Sequence, residues 1–409
     1  MRFRLTAKEE AWQQEVADWL DAEVPRAFRE RDPLDPQSVM GGSTPVGESY
    51  YALMKKFTLR LGEKGWLRIG WPEEYGGLDL SPVKIAIIQE EMDRRNAVII
   101  RLLDLAGMVL SHGTKQQKDY WLPPLGRGEI ATCLVQSEPD AGSDLANCKC
   151  RADLRGDHFI VNGQKHYVSQ AQRADYGQLL VVTDPQAPRR RNLSRVICDM
   201  HAPGVTVRPQ RDMAGEVELN EVWFEDARIP KEWLVGKPNN AWLEMNQDVG
   251  WPAVSGRQRD TFEAFLHYYR AAKAKGDALD QDGLGRRKLA ALYVEQSAMA
   301  ATRLQGLAMS QLRQESGLGP DEQAAEGGVQ TAAGSMEPLM QKEWRPKFAQ
   351  TVMEILGPVG QLGAGSRFAP LGGWPEKHYR ARGFETHAHG TIEVLKMVIA
   401  TRGLGLPRG

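Results

Sequence analysis

The sequence predicts an α+β chain in three blocks: an N-terminal α-helical domain over residues 1–130, a central antiparallel, barrel-like β domain over 131–235, and a C-terminal helical domain over 236–409. Three observations predict it. Apolar residues recur at helical spacing in both flanking blocks. Short β-branched and aromatic runs alternate with Gly, Asp, Asn and Pro in the middle. There is no βαβ alternation and no GxGxxG, which disfavours a nicotinamide-type dinucleotide fold.

Composition sets the bounds. A chain of 409 residues with 42% hydrophobic content buries a large core. A formal net charge of −1 gives no bulk field for nucleic acid or anionic lipid. No run approaches the roughly 18 consecutive apolar residues of a membrane span. The N-terminal residues Met1–Glu10 lack the apolar core of a signal peptide, so a cytoplasmic location is expected. Cys133, Cys148, Cys150 and Cys198 are few for the length and read as reduced thiols, with no zinc-site spacing. Cys148-Lys149-Cys150 reads as two positions on one face of a strand.

In the first block, Trp12, Val16, Leu20 and Val24 line one helix face, and Pro25 and Pro33 end that region. Residues 33–49 read as a Pro-, Gly- and Ser-rich loop. Helices follow over 50–65, 82–95 and 101–111, with a compact turn at Trp71–Gly77 and a short helix starting at Thr114. In the middle block, Asn162-Gly163 between two strand-like runs predicts a hairpin turn. The last block predicts a long helix over 242–275 with Pro252 inside it, and a second over 286–314. A Gly-, Glu- and Gln-rich loop over 316–334 precedes a helix over 337–356 and a final one over 391–402.

Two stretches carry chemistry. Ser137-Glu138-Pro139-Asp140-Ala141-Gly142-Ser143-Asp144 follows the strand-like Ala131–Val135, and Asn162-Gly163-Gln164-Lys165-His166-Tyr167-Val168-Ser169 comes later. A strand ending in hydroxyls and a turn presents backbone N–H groups and short donors at one edge, which suits a flat, polar-edged heterocycle or an anion. Taken singly, each Ser is an ordinary turn residue and Tyr167 an ordinary aromatic. Paired, the two blocks point to a flavin.

With the helix–sheet–helix order, five collinear segments resemble the acyl-CoA dehydrogenase family. They are Trp71–Gly77, His112-Gly113-Thr114 with Gln116-Gln117-Lys118, the two blocks above, Phe224–Pro230, and Gly390-Thr391 through the Gly405-Leu406-Pro407-Arg408 end. With Ile355-Leu356-Gly357-Pro358, they look like the bacterial branch, which includes steroid and other bulky-substrate enzymes, some built from two different subunits.

The resemblance implies a C-terminal four-helix bundle, FAD as cofactor, an acyl-CoA substrate and electron-transfer flavoprotein or a similar acceptor. It also implies a homotetramer, or a heterotetramer with a second dehydrogenase chain. A carboxylate takes the α-proton of the thioester, a β-hydride passes to the flavin, and oxyanion-type donors hold the thioester oxygen. By the same resemblance Ser137 bonds the flavin pyrimidine edge, beside the backbone of Gln136. Tyr167 stands where a Trp packs near the ring, and Ser169 where a Thr lies near its reactive nitrogen. Ser143 meets the CoA part and Thr391 the FAD backbone.

Both positions that hold the family's carboxylate are altered: one is His389, before Gly390-Thr391, and the other aligns with Pro252. The CoA-holding Arg that follows the second is Ala253, and the Arg-x-x-Phe-Gly that reaches a neighbouring FAD is absent. Four readings stand open. His389 is the base, since imidazole with a pKa of about 6.5 accepts protons near neutrality. Asp248 is the base, one helical turn before Pro252, where the proline leaves the Asp248 carbonyl unpartnered. The chain has no base and serves as the partner subunit of a heteromeric dehydrogenase. Or it is a flavin-dependent monooxygenase of the same fold. Trp242, Trp251, Met92 and Leu103 are candidates for a pocket lining, though such residues are more often core.

Overall fold

The computed structural model describes residues 5–32, 34, 47–78, 80–245, 248, 261–277, 279–280, 283–316, 327–388 and 390–407. His389, Trp251, Pro252, Ala253 and most of the 33–49 loop therefore lie outside the described residues.

Six helices precede the sheet: α1 (Ala7–Glu23), α2 (Arg26–Arg29), α3 (Gly47–Lys64), α4 (Pro82–Arg94), α5 (Leu103–His112) and α6 (Lys115–Gly126). Capping boxes start α1 and α6, through Thr6 with Glu9 and Thr114 with Gln117. Val16 and Leu20 of α1 are wholly buried, as the helical spacing predicts, in a cluster with Phe57, Trp66, Leu105 and Trp121. The Trp71–Gly77 segment is a tight turn. A Cβ at Gly77 would sit 1.6 Å from the Trp71 carbonyl oxygen, so only glycine lets the chain close there.

The sheet has eight strands: β1 (Thr132–Val135), β2 (Arg151–Arg155), β3 (His158–Ser169), β4 (Tyr176–Val182), β5 (Leu193–Asp199), β6 (Val205–Gln210), β7 (Leu219–Pro230) and β8 (Leu234–Val235). Their order is β6-β7-β3-β2-β4-β5-β8, with β1 pairing β4. The sheet is mixed rather than purely antiparallel, because β1 and the start of β2 run parallel to β4. Its core joins Val135, Leu179, Val196, Cys198 and Phe224. Ile197 and Val235 instead face the N-terminal helical cluster, so one sheet face is covered by helices.

The hairpin predicted at Asn162-Gly163 lies elsewhere. Arg155 pairs with His158, so Gly156-Asp157 makes the turn. Asn162 and Gly163 are inside β3, at a bulge where Asn162 faces both Glu225 and Asp226 of β7. Asn162 and Asp226 exchange two hydrogen bonds of 2.9 Å that hold the bulge, and Asp226 takes a φ of 51°. Gly163 has a φ of 149°, and a Cβ there would meet Cys150 at 2.8 Å. Here glycine serves a close strand approach rather than a turn. Cys148-Lys149-Cys150 precedes β2, yet both thiols are buried and Lys149 is exposed, as a same-face reading requires.

After the sheet come α7 (Ala241–Met245), α8 (Thr261–Ala274), α9 (Leu284–Ser316), α10 (Gly327–Leu356), α11 (Trp374–Glu385) and α12 (Ile392–Val398). The predicted single helix over 242–275 is corrected: α7 ends at Met245, and Asp248 beyond it is not helical. The predicted loop over 316–334 is corrected as well, since Gly327–Gly334 belong to α10. The C-terminal core gathers Phe262, Phe265, Trp344, Phe348 and Trp374. Among the described residues no helix is long and apolar enough to cross a membrane.

Candidate active site

The site is built where β1 ends against the end of β3. After Val135 the chain leaves the sheet as Gln136-Ser137, both half-buried, and turns back through Pro139-Asp140. Reciprocal backbone bonds of 3.0 and 3.1 Å between Glu138 and Ala141 close that turn. The Ser137 carbonyl accepts from the His166 N–H at 2.8 Å. Lys165 Nζ donates to the Gln136 carbonyl at 2.9 Å. The structure thus brings Gln136 and Ser137 against Lys165 and His166, the residues just before Tyr167 in β3.

A second bulge shapes β3 here. His166 and Tyr167 together face Glu221 of β7, between the pairs Lys165–Val222 and Val168–Asn220. Tyr167 takes a φ of 57° and is 61% exposed. A non-glycine residue in this region costs about 1–3 kcal/mol. The strain is concentrated where an aromatic side chain is presented rather than buried. Ser169 ends the strand opposite Leu219 and is half-buried. With the two carbonyls of Gln136 and Ser137 already engaged, hydroxyls, amide donors and an exposed ring remain on this edge. That donor set fits the polar edge and flat face of a flavin.

Beneath the edge lies a buried ion pair that the sequence reading did not single out. Glu138 Oε1 is 2.8 Å from Lys165 Nζ, and neither side chain is more than 5% exposed. Glu138 also accepts from the N–H groups of Lys149 at 2.7 Å and Cys150 at 2.9 Å. Burial alone would raise its pKa, but Lys165, with the Cys148 and Cys150 donors, holds it below the ordinary 4.5. Burial likewise opposes the Lys165 charge, yet Cys148, Cys150 and Glu138 keep its pKa above the usual 10.5. Glu138 and Lys165 lie one in each of the two blocks and carry opposite charge, which is the signal that could have paired them. Burial also pushes the Cys133 and Cys150 thiols up to about 12 and Cys148 to about 11, so these are inert core thiols.

Ser143 is exposed, on the turn ahead of a short 3₁₀ segment at Leu145–Asn147. Its neighbour Asp144 is paired with Arg189 from the β4–β5 loop. Thr391 stands on a different element. It is the N-cap of α12, where its hydroxyl accepts from the Val394 N–H at 3.2 Å. His387, beside the undescribed His389, is exposed and lies 2.8 Å from its neighbour Thr386.

Asp248 is not a free base in this structure. Its Oδ2 lies 2.6 Å from Nη1 of Arg195, whose side chain is fully buried on β5. Its Oδ1 is 2.9 Å from His112 Nε2 at the end of α5. Glu244 of α7 approaches the same guanidinium at 3.6 Å. The cluster ties α5, β5 and the segment after α7 together. The sequence reading put Asp248 one helical turn before Pro252, whereas α7 runs Ala241–Met245 and Asp248 beyond it is not helical. Among the proposed lining residues, Met92 is wholly buried core. Trp242 packs against the sheet core under the Arg190 guanidinium, 5.0 Å from its ring centre. The Leu103 side chain lies outside what is described.

Family models match almost the whole chain in three consecutive pieces. They are the acyl-CoA dehydrogenase N-terminal domain at residues 6–129, the middle domain at 133–227 and the C-terminal domain at 251–404. The chain is 28% identical to acyl-CoA dehydrogenase FadE26 of Mycobacterium tuberculosis, covering 100% of this chain and 99% of that one. It is 29% identical to acyl-CoA dehydrogenase IpdE1 of the same organism, over 85% of this chain and 87% of that one.

Two similar solved structures are a steroid ACAD, Tcur3481-Tcur3483, and the ChsE4-ChsE5 complex from Mycobacterium tuberculosis. Their TM-scores are 0.77 and 0.76, each at 26% identity with full coverage of both chains. Members of this family are FAD-dependent oxidoreductases acting on CH–CH groups, and the donor edge of Gln136, Ser137 and Tyr167 fits that cofactor. From its three matched domains and its helix–sheet–helix architecture, the chain belongs to the acyl-CoA dehydrogenase family.

Proposed function

We propose that this chain is one subunit of a heteromeric, FAD-dependent acyl-CoA dehydrogenase acting on a bulky, steroid-type acyl-CoA. In this reading the carboxylate that takes the α-proton comes from the second chain. One observation carries it: the flavin-edge scaffold is retained while neither family position for the base is a carboxylate and, among the described residues, Asp248 is ion-paired. His389 and Pro252 occupy the two family positions, and Asp248 is held by Arg195 and His112. The similar structures named for a steroid dehydrogenase and for a two-component complex support both the substrate class and the assembly.

FAD, when bound, accepts the two electrons removed from the substrate. The chain's own residues hold and orient. Gln136 and Ser137 meet the polar edge of the ring, Tyr167 covers its face and Ser169 lies at the end of the same strand. Ser143 meets the CoA portion on the exposed turn beyond.

The assembly is tested by purifying the chain alone and co-expressed with a second dehydrogenase chain that carries Glu before its Gly-Thr. The co-expressed complex should show oxidised-flavin bands that bleach anaerobically on addition of a steroid-type acyl-CoA. The chain alone should give no bleaching. Bleaching by the chain alone would overturn the partner-base reading in favour of His389, and a hydroxylated product formed with oxygen would favour the monooxygenase reading.

A further inference from the structure

Lys165 carries a charge into a site with no solvent access, its side chain being 0% exposed. Three groups meet its ammonium: the Gln136 carbonyl at 2.9 Å, Glu138 Oε1 at 2.8 Å and Cys148 Sγ at 3.3 Å. Stripping water from an ammonium and a carboxylate is costly, and an apolar pair of the same shape often packs as well. An apolar side chain, however, could not grip a carbonyl.

That carbonyl belongs to the peptide joining Gln136 to Ser137. In a trans peptide the C=O and the following N–H point to opposite sides, and this chain has no cis bond among its described residues. Drawing the Gln136 carbonyl onto Lys165 therefore turns the Ser137 N–H away from the buried pair. The Ser137 carbonyl is fixed in turn by the His166 N–H at 2.8 Å, so the orientation of both peptides is determined.

We propose that Lys165 is a positioning residue for the flavin: through the Gln136 carbonyl it sets the direction of the Ser137 amide, and Glu138 holds Lys165 in register. The inference rests on reading this edge as the flavin site. Lys165 itself touches neither cofactor nor substrate. It acts through one peptide, so its removal should be felt by the flavin's affinity and potential as well as by the fold, which is left with Glu138 buried without its cation.

The test uses the co-expressed complex with this chain as wild type, Lys165→Met or Glu138→Gln, each freed of flavin and titrated with FAD by flavin fluorescence. The potential of the bound flavin is read by equilibration with reference dyes, and folding is checked by thermal unfolding. Lys165→Met should bind FAD about tenfold more weakly or worse, the scale of one lost charge-assisted contact. Its flavin potential should fall, because a donor to the electron-rich reduced ring is misdirected. Glu138→Gln leaves Lys165 on the Gln136 carbonyl without its counter-charge, so its flavin potential should rise. Shifts of opposite sign are not what loosened packing would give.

A folded Lys165→Met with unchanged affinity and potential overturns the proposal. If that variant does not fold, an unchanged or lowered potential in Glu138→Gln overturns it. A wild-type complex that takes up no FAD overturns the reading of this edge as the flavin site, and the inference with it.

Discussion

At the scale of single residues, Asp248 and Glu138 show how position and environment part company. Both are carboxylates near the candidate site, and both are held by a buried cation, Arg195 for one and Lys165 for the other. Replacing Arg195 by Met would leave Glu244 buried without its cation, at a cost of about 3–5 kcal/mol in urea unfolding. Asp248→Asn should cost less, about 1–2 kcal/mol, because the side chain is 32% exposed. It should leave turnover of the co-expressed complex intact.

The pH dependence follows from the two shifts at the flavin edge. Glu138 is lowered below 4.5 by Lys165 against the effect of burial, so its stabilisation is present above that value and lost as pH falls through the folded value. Lys165 is raised above 10.5 despite burial, so its contribution is complete below that value and lost as pH rises further. FAD should therefore stay bound across the neutral range, with an acid limb in the flavin potential, which should rise as pH falls through the folded Glu138 value, below the ordinary 4.5. Glu138→Gln should abolish that acid limb.

At the scale of elements, α6 shows how local chemistry sets long-range placement. Its capping box joins Thr114 and Gln117, and Gln117 Nε2 also donates to the Glu232 and Leu234 carbonyls, both at 2.7 Å. One side chain thus starts the helix and hooks it to β8. Thr114→Ala should cost about 1 kcal/mol. Gln117→Leu should cost more, since it loosens both the cap and the hook; chemical denaturation would separate the two.

The helices before the sheet were legible in sequence because apolar spacing and caps agree, as at Val16 and Leu20. Asn162-Gly163 misled because the pair meets two different needs, a turn or a bulge, and the local sequence does not say which strand lies opposite. The Gly156-Asp157 turn lacked the stronger Asn-Gly signal. The Ser137 and Tyr167 blocks were legible as a polar edge. The Lys165–Glu138 pair beneath them was not, because a lysine inside a strand reads as an exposed position until the fold brings its carboxylate to it.

At the scale of the whole molecule, the described surface carries apolar side chains on α9 and near the C-terminus. Tyr293 and Val294 are 59% and 67% exposed, and Leu404 and Leu406 are 70% and 52% exposed. Such positions suit burial between subunits. The co-expressed complex should migrate as a tetramer in native mass spectrometry, with the two chains in equal number.

The central claim is that this chain supplies a flavin scaffold while its partner supplies the base. The most direct measurement compares anaerobic flavin bleaching by a steroid-type acyl-CoA in two versions of the complex. One carries His389→Gln in this chain, and the other carries Glu→Gln before the Gly-Thr of the second chain. The account predicts bleaching close to wild type in the first and its loss in the second. Loss in the first with retention in the second would contradict it.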